Sequence, residues 1–170
     1  MQDRGWLAAD IYCYLGCMVN LYDVNRDAEL SSETGLLRAV RLAQHAGAKR
    51  LAANLYEVEQ GAVVSPLHFH HRNEELLFVL AGTPTLRRGA GDERTLACGE
   101  VASFPTGPTG VHQILNRASE PARVLIAATN DLPEVAEQVE NDQLAVITDK
   151  RIAATAVDRP HCSLPTNRTR

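Results

Sequence analysis

The sequence has few of the features that mark secreted, disulfide-bonded or membrane proteins. Its 170 residues include only four cysteines, Cys13, Cys17, Cys98 and Cys162, and no two of them form a CxxC pair. This spacing favours reduced thiols over a disulfide framework. The N-terminus has no basic segment before an apolar stretch, and Asp10 interrupts the apolar run found there. We therefore expect no targeting signal, no membrane-spanning segment and a cytoplasmic location.

An excess of positive charge is also absent. Lysine and arginine number 17 against 21 aspartates and glutamates, which gives a formal net charge of -4. Nucleic acids and anionic membranes attract basic surfaces, so neither is expected as a partner. Hydrophobic residues make up 45% and charged residues 22%, which is ordinary for a globular protein of one domain.

The chain divides into four parts by its pattern. Residues 1–50 are expected to form an N-terminal arm, of which residues 1–17 show no clear pattern, and translation could begin at Met18. Apolar residues recur at helical spacing between Leu36 and Ala48, which fits either a short helix or an irregular arm, with helix preferred.

Residues 51–130 are the expected β core. Short apolar or alternating runs are separated there by glycine, proline and other turn residues, which is typical of many short strands. The predicted strands are Leu51–Glu59, Glu75–Ala81, Thr85–Arg88, Arg94–Cys98, Val101–Phe104, Val111–Asn116 and Ala122–Thr129. Seven strands in about eighty residues indicate an all-β antiparallel sandwich, jelly roll or barrel.

The remaining residues are predicted to be peripheral. Asp131, Pro133 and Glu134 resemble a capped helix start, so residues 131–148 are expected to form a short helix to about Glu140 and then a strand. Residues 149–170 have few apolar side chains towards their end and are expected to be a loose tail.

Potential metal ligands precede the strand that begins at Glu75. His68 and His70 are two residues apart, so on an extended strand both imidazoles point to the same face. Glu75 follows a polar bend, and a returning strand could bring its carboxylate back to them. A buried carboxylate is favourable beside a cation and costly alone. A second segment carries His112 as a further candidate ligand.

The two segments resemble the paired motifs of the cupin superfamily. The first has Gly61, His68-x-His70, Glu75 after four residues and Gly82 after six more; the second has Gly99, Pro105-x-Gly107, His112 and Asn116. The second motif usually has two residues between its glycine and its histidine, whereas four separate Gly107 from His112. The insertion changes the loop at the mouth of the site, and His112 is kept as a ligand.

The resemblance implies a double-stranded β-helix, or jelly roll, with short helical or irregular extensions at both ends. It also implies one divalent metal held by His68, His70, Glu75 and His112. Imidazole and carboxylate ligands suit Fe(II), Mn(II), Ni(II), Zn(II) or Cu(II) better than Ca(II) or Mg(II). Iron or manganese is favoured because cupin sites tend to have more than four ligands, whereas structural zinc closes at four.

Two functions fit this resemblance, because the cupin fold hosts many activities. The first is a metal-dependent enzyme of the dioxygenase, isomerase or cyclase type that acts on a small organic molecule. The second is a module that binds a metal or small ligand without turnover. Few polar anchors are expected in the barrel, so a weakly charged aromatic or ketone-bearing substrate is favoured over a sugar phosphate. Small cupins often pair through their strands, so a homodimer is expected.

Other residues have simpler interpretations. Apolar side chains of the β core are expected to be buried, and some of them to line a pocket, for which the candidates are Tyr56, Leu77, Phe104 and Asn116. Asn116 is interpreted as a structural hydrogen-bonding residue. His71 and Glu74 are expected at the surface, and Cys98 is expected to be fairly buried. Cys13, Cys17 and Cys162 could form a zinc site with His161 if the termini met, which no pattern in the sequence supports.

Overall fold

The computed structural model describes residues 18–22, 28–32, 35–148 and 152–156. The described residues form strands, one short helix and one 3-10 turn. These are β1 Ala28–Ser32, β2 Gly35–Val40, α1 Leu42–His45, β3 Leu51–Val58, β4 His68–His70, β5 Glu75–Ala81, β6 Thr85–Gly89, β7 Asp92–Thr95, β8 Val101–Phe104, the 3-10 turn Pro108–Gly110, β9 Gln113–Leu115, β10 Ala122–Thr129, β11 Glu134–Gln138, β12 Gln143–Ile147 and β13 Ile152–Ala156.

The strands form antiparallel sheets that enclose the larger of two apolar clusters. The largest sheet has the order β1-β2-β3-β10-β5-β8, and the others have the orders β13-β12-β11-β4 and β7-β6-β9. The two smaller sheets meet where His68 and His112 exchange backbone hydrogen bonds of 3.1 and 2.9 Å. The predicted all-β jelly roll is confirmed.

Alternation along the central strands explains the core. Leu77 and Val79 on β5, and Val124 and Ile126 on β10, all point into the interior cluster, because residues two apart on a strand share a face. Most predicted core strands have the observed bounds within about two residues. The exception is the strand predicted at Arg94–Cys98: the observed strand, β7, begins at Asp92 and ends at Thr95.

The predicted helix between Leu36 and Ala48 is wrong for most of its length. Residues 35–40 form β2, which pairs with β3, and only Leu42–His45 is helical. Leu37 and Val40 are three apart and both buried, which resembles a helical period. On the strand they face opposite sides: Leu37 packs in the interior cluster and Val40 packs in a second apolar cluster with Leu55.

The predicted helix after Asp131 is also wrong. Residues 134–138 form β11, which pairs with both β4 and β12, so tertiary pairing overrides the local capping pattern. The strand predicted at 143–148 is confirmed as β12. Part of the expected loose tail is strand, since β13 pairs with β12 over its whole length. The one α-helix in the described part of the chain is a single turn, too short to cross a bilayer.

Candidate metal centre

His68 and His70 lie on β4 and point their rings into the barrel. Their Nε2 atoms are 3.1 Å apart. The Nδ1 atom of His68 lies 2.8 Å from the carbonyl oxygen of Pro66. An Nδ1–H donated to that carbonyl leaves the Nε2 lone pair free to face the centre of the site.

Glu75, the first residue of β5, brings its carboxylate to the same point. Its Oε2 atom lies 3.5 Å from His70 Nε2, and the side chain is 14% exposed. His68, His70 and Glu75 each offer one ligand atom, and these three atoms lie within 4.8 Å of one another. The polar bend between β4 and β5 therefore returns the chain to the site, as the sequence spacing predicts.

His112 approaches from the neighbouring sheet. Its Nε2 atom lies 3.1 Å from Glu75 Oε2, and the residue is 2% exposed. Its Nδ1 lies 2.9 Å from the carbonyl oxygen of Gly110, at the end of the 3-10 turn. The ring of Phe104 stacks on the imidazole at 3.8 Å with the planes inclined by 10°. The loop that is longer than usual before His112 thus still delivers its Nε2 to Glu75.

Burial and mutual proximity set the charge state of the cluster. Burial, followed by the charges of His112 and His70, lowers the pKa of His68 to about 4, so its imidazole is neutral at physiological pH. Burial alone raises the pKa of Glu75, but the adjacent His112, with His70 and His68, lowers that pKa below its ordinary value. The site therefore presents a neutral imidazole and an ionised carboxylate, which are the forms that bind metals.

The donor set fits a divalent transition metal. Two ligands about 2.1 Å from one ion, at octahedral or tetrahedral angles, lie about 3.0 to 3.4 Å from each other. The observed separations of 3.1, 3.5 and 3.1 Å are close to this range. Glu75 Oε2 is buried, and its nearest polar neighbours are His112 Nε2 at 3.1 Å and His70 Nε2 at 3.5 Å; His70 Nδ1 is buried without a hydrogen-bond partner among the described residues. An ion at the centre would satisfy the carboxylate oxygen.

A cavity of about 380 Å³ opens onto this cluster. Its remaining walls are mainly apolar with a few polar groups, from Asn54, Tyr56, Val64, Ser65, Pro66, Ile114, Ile126, Ala136, Gln138, Ala145 and Ile147. Burial and the charge of Glu75 raise the pKa of Tyr56 to about 12, although a hydrogen bond with Asn54 opposes this. The Tyr56 hydroxyl is therefore protonated and can donate a hydrogen bond inside the cavity.

The four pocket-lining candidates separate into two groups. Tyr56 lies in the cavity wall, whereas Leu77, Phe104 and Asn116 do not line it. Leu77 points into the interior cluster and Phe104 backs the ring of His112. Asn116 is fully buried and donates 2.8 Å hydrogen bonds to the carbonyls of Val58 and Glu120. Its role is to hold two chain segments together.

Glu134 is a residue that the sequence analysis missed. It is 2% exposed, and its Oε1 atom lies 3.6 Å from His70 Nδ1. The sequence places it 64 residues from His70, in a segment predicted to be helical. The preceding Pro133 favoured a helix start, and only the pairing of β11 with β4 brings this carboxylate to the site.

The other singled-out residues lie at the periphery. His71 is exposed, and its Nε2 lies 3.1 Å from Glu137 Oε2; Glu74 is exposed as well. The expectation that Cys98 is buried is wrong: it lies exposed in the turn before Gly99, and its thiol lies 3.3 Å from the Leu80 carbonyl. Cys13, Cys17, His161 and Cys162 lie outside the described residues.

Comparison with known proteins supports the family resemblance. The family model described as "Cupin domain" matches residues 54–128. No curated protein matches the chain. A sugar phosphate isomerase of the cupin superfamily from Silicibacter pomeroyi is 25% identical, with a TM-score of 0.73 over 83% of this chain and 93% of that one.

Two further solved structures share the fold. One, from Acidithiobacillus ferrooxidans and provisionally assigned as a sugar phosphate isomerase, is 18% identical, with a TM-score of 0.71 over 83% of this chain and 92% of that one. The polyketide cyclase RemF from Streptomyces resistomycificus is 24% identical, with a TM-score of 0.55 over 69% of this chain and 82% of that one. Residues 54–128 therefore form a cupin domain.

Proposed function

We propose that this cupin domain belongs to a metal-dependent enzyme that acts on a small, uncharged organic molecule. One divalent ion would be held by His68, His70, Glu75 and His112. The observation that carries this proposal is the convergence of Glu75 Oε2 with the imidazole nitrogens at 3.1 to 3.5 Å, at the inner end of an apolar cavity.

The bound ion would act as a Lewis acid towards an oxygen substituent of the substrate. We favour Fe(II) or Mn(II), with Ni(II), Zn(II) and Cu(II) as alternatives, because the ligand set mixes imidazole with carboxylate. The reaction type that we propose is that of a dioxygenase, an isomerase or a cyclase.

The cavity itself supports an uncharged substrate. Among the described residues, none of those that line the cavity is lysine or arginine, and the ionised side chain there is Glu75. Apart from the proposed metal, a phosphate group in this cavity would meet no cationic side chain of the lining, so its desolvation would be only partly compensated. The cavity chemistry therefore argues against a sugar phosphate, the substrate class in the name of the Silicibacter pomeroyi protein.

Tyr56 is our candidate for orienting the substrate. Its protonated hydroxyl can donate to a carbonyl or phenol oxygen, while Asn54 and Gln138 offer amide groups in the same wall. The apolar side chains of Ile114 and Ile126 would pack against a ring or an alkyl chain and exclude water. An aromatic or ketone-bearing molecule combines both requirements.

Metal binding is tested first. Protein purified without chelator should contain about one transition metal per chain, whereas the double variant His68→Ala, His112→Ala should contain none. His71→Gln is the matched control, because His71 is an exposed histidine of the same segment. Equal metal content in the double variant and the wild type would refute the proposed ligands.

Substrate class is tested on the metal-loaded protein. Uncharged aryl ketones and phenols are compared with sugar phosphates for binding and turnover, with oxygen uptake recorded to separate oxygenation from isomerisation or cyclisation. We expect binding of the uncharged compounds and its reduction by Tyr56→Phe. Turnover of a sugar phosphate would contradict the proposal. A metal-loaded protein without turnover of any compound would instead favour a binding module.

A homodimer in the cytoplasm is part of the proposal. Leu76 on β5 and Val101 on β8 are 41% and 56% exposed, and β8 is at the edge of the six-stranded sheet. Packing of two copies against the sheet face next to β8 would cover both side chains and shield the outer edge of β8, whose other edge pairs with β5. Light scattering that gives the mass of a monomer at micromolar concentration would contradict it.

A further inference from the structure

The three imidazoles of the site differ in what holds their outer nitrogen. His68 Nδ1 and His112 Nδ1 each lie within 2.9 Å of a main-chain carbonyl two residues earlier. His70 has no such carbonyl, and its Nδ1 is buried without a hydrogen-bond partner among the described residues. The oxygen that faces it is Glu134 Oε1, at 3.6 Å.

Glu134 is held rigidly in that position. Its Oε1 accepts hydrogen bonds from the backbone N–H groups of His71 at 3.1 Å and Arg72 at 3.3 Å. Its Oε2 accepts a hydrogen bond of 2.5 Å from Asn73 Nδ2. All of these donors are neutral groups. A carboxylate that is 2% exposed is thus aimed at the outer face of His70.

Asn73 is itself fixed, which prevents the network from rearranging. Its Oδ1 accepts hydrogen bonds from the backbone N–H of Asp131 at 2.8 Å and from Thr129 Oγ1 at 3.0 Å. A rotation of the Asn73 amide would set its NH₂ group against the backbone N–H of Asp131. In Glu134→Gln the amide oxygen must stay towards the His71 and Arg72 N–H groups, and hence towards His70, so the new NH₂ group would face the NH₂ group of Asn73.

We propose that Glu134 is a positioning residue for His70. Its carboxylate accepts the Nδ1–H of His70, which fixes the tautomer with a free Nε2 lone pair and strengthens that nitrogen as a ligand. The separation of 3.6 Å is longer than a good hydrogen bond of about 2.9 Å, so the hydrogen bond requires a small rotation of the His70 ring, in the metal-free protein as well as with a metal. The part of this inference that concerns metal affinity rests on the proposed function.

The chain offers two matched controls. Glu137→Gln makes the same chemical change on the same strand, at a residue that contacts the exposed His71. Thr129→Val removes a hydrogen bond to Asn73 and weakens the same network, but leaves the Glu134 carboxylate in place. The first control shows whether the same substitution has an effect when it is made away from His70. The second shows whether a weakened network is enough to lower metal affinity while the carboxylate is still present.

The first experiment measures zinc affinity by chelator competition in the wild type, Glu134→Gln and both controls. Glu134→Gln should bind about 10- to 100-fold more weakly than the wild type, and the two controls should stay close to it. Equal affinity in Glu134→Gln and Glu137→Gln would overturn the inference. So would a loss in Thr129→Val as large as that in Glu134→Gln, because the role would then be only structural.

The second experiment needs no metal. Nitrogen-15 NMR of the histidine rings in the metal-free protein should show His70 in the Nδ1–H tautomer, with a shift towards the other tautomer in Glu134→Ala, which removes the acceptor, but not in Glu137→Ala. An unchanged His70 tautomer in Glu134→Ala would overturn the inference even if the wild type binds zinc. If the wild type binds none of the proposed metals and the Glu134→Ala variant still shows the tautomer shift, the proposed function is refuted and the Glu134 contact remains supported.

Discussion

Replacing His68 by glutamine should remove a pH-dependent loss of stability from the metal-free protein. The pKa of His68 is about 4 in the folded protein against an ordinary value of 6.5. Between these two values the unfolded chain binds a proton that the folded protein excludes. The contribution of His68 to stability is therefore complete above pH 6.5 and is lost progressively as the pH falls towards 4.

The size of this effect follows from the two pKa values. The interval between 6.5 and about 4 corresponds to roughly 3 kcal/mol of unfolding free energy, with a slope of up to about 1.4 kcal/mol per pH unit. Glu75 does not contribute in the same range. Its pKa is lowered from 4.5, so its stabilising effect is present above that pH and is lost only below it.

Urea denaturation in the presence of a chelator measures the effect between about pH 7 and about pH 4.5. The wild type should lose stability steeply over this range, and His68→Gln should lose about 2 to 3 kcal/mol less. His45→Gln, at an exposed histidine of α1, is the control and should follow the wild type. An equally steep loss in His68→Gln would show that burial does not depress the pKa of His68.

Three further substitutions test the supports of the site. Gly110→Ala should lower the free energy of unfolding by about 1–3 kcal/mol and weaken metal binding, because the new Cβ would lie 1.8 Å from the Pro105 carbonyl oxygen. Thermal unfolding identical to that of the wild type would contradict this. Phe104→Leu should lower the free energy of unfolding by about 1–2 kcal/mol and weaken metal affinity, because the stacking on His112 is lost. Unchanged metal affinity would show that Phe104 does not support the His112 ring. Asn116→Ala should lower the free energy of unfolding by about 2–3 kcal/mol, because it leaves the buried carbonyls of Val58 and Glu120 without this donor. Metal affinity of the folded protein should stay unchanged, and a loss of affinity would place Asn116 in the site.

The ligand cluster could be predicted because its members are close in sequence or share a recognisable motif. His68 and His70 share a face by strand alternation, and Glu75 returns through a four-residue bend. His112 depended on the resemblance, since the bridge that joins it to His68 spans 44 residues of sequence. Its position survives the longer loop because the 3-10 turn takes up the additional residues before the ring is anchored to Gly110.

Features that depend on long-range pairing could not be predicted. Leu37 and Val40 mimic a helical period because β2 buries both of its faces, which only the presence of a second apolar cluster reveals. Glu134 follows a proline and looks like part of a helix start, yet it closes a network with the segment after His70. In both cases the local pattern is satisfied by two structures, and the partner strand decides between them.

Anomalous diffraction at the absorption edge of the metal, from crystals of protein purified without chelator, tests the central claim most directly. A single peak about 2.0–2.3 Å from the Nε2 atoms of His68, His70 and His112 and from a Glu75 carboxylate oxygen is the predicted result. A metal bound elsewhere, for example between His71 and Glu137, with no peak at this cluster would contradict the account.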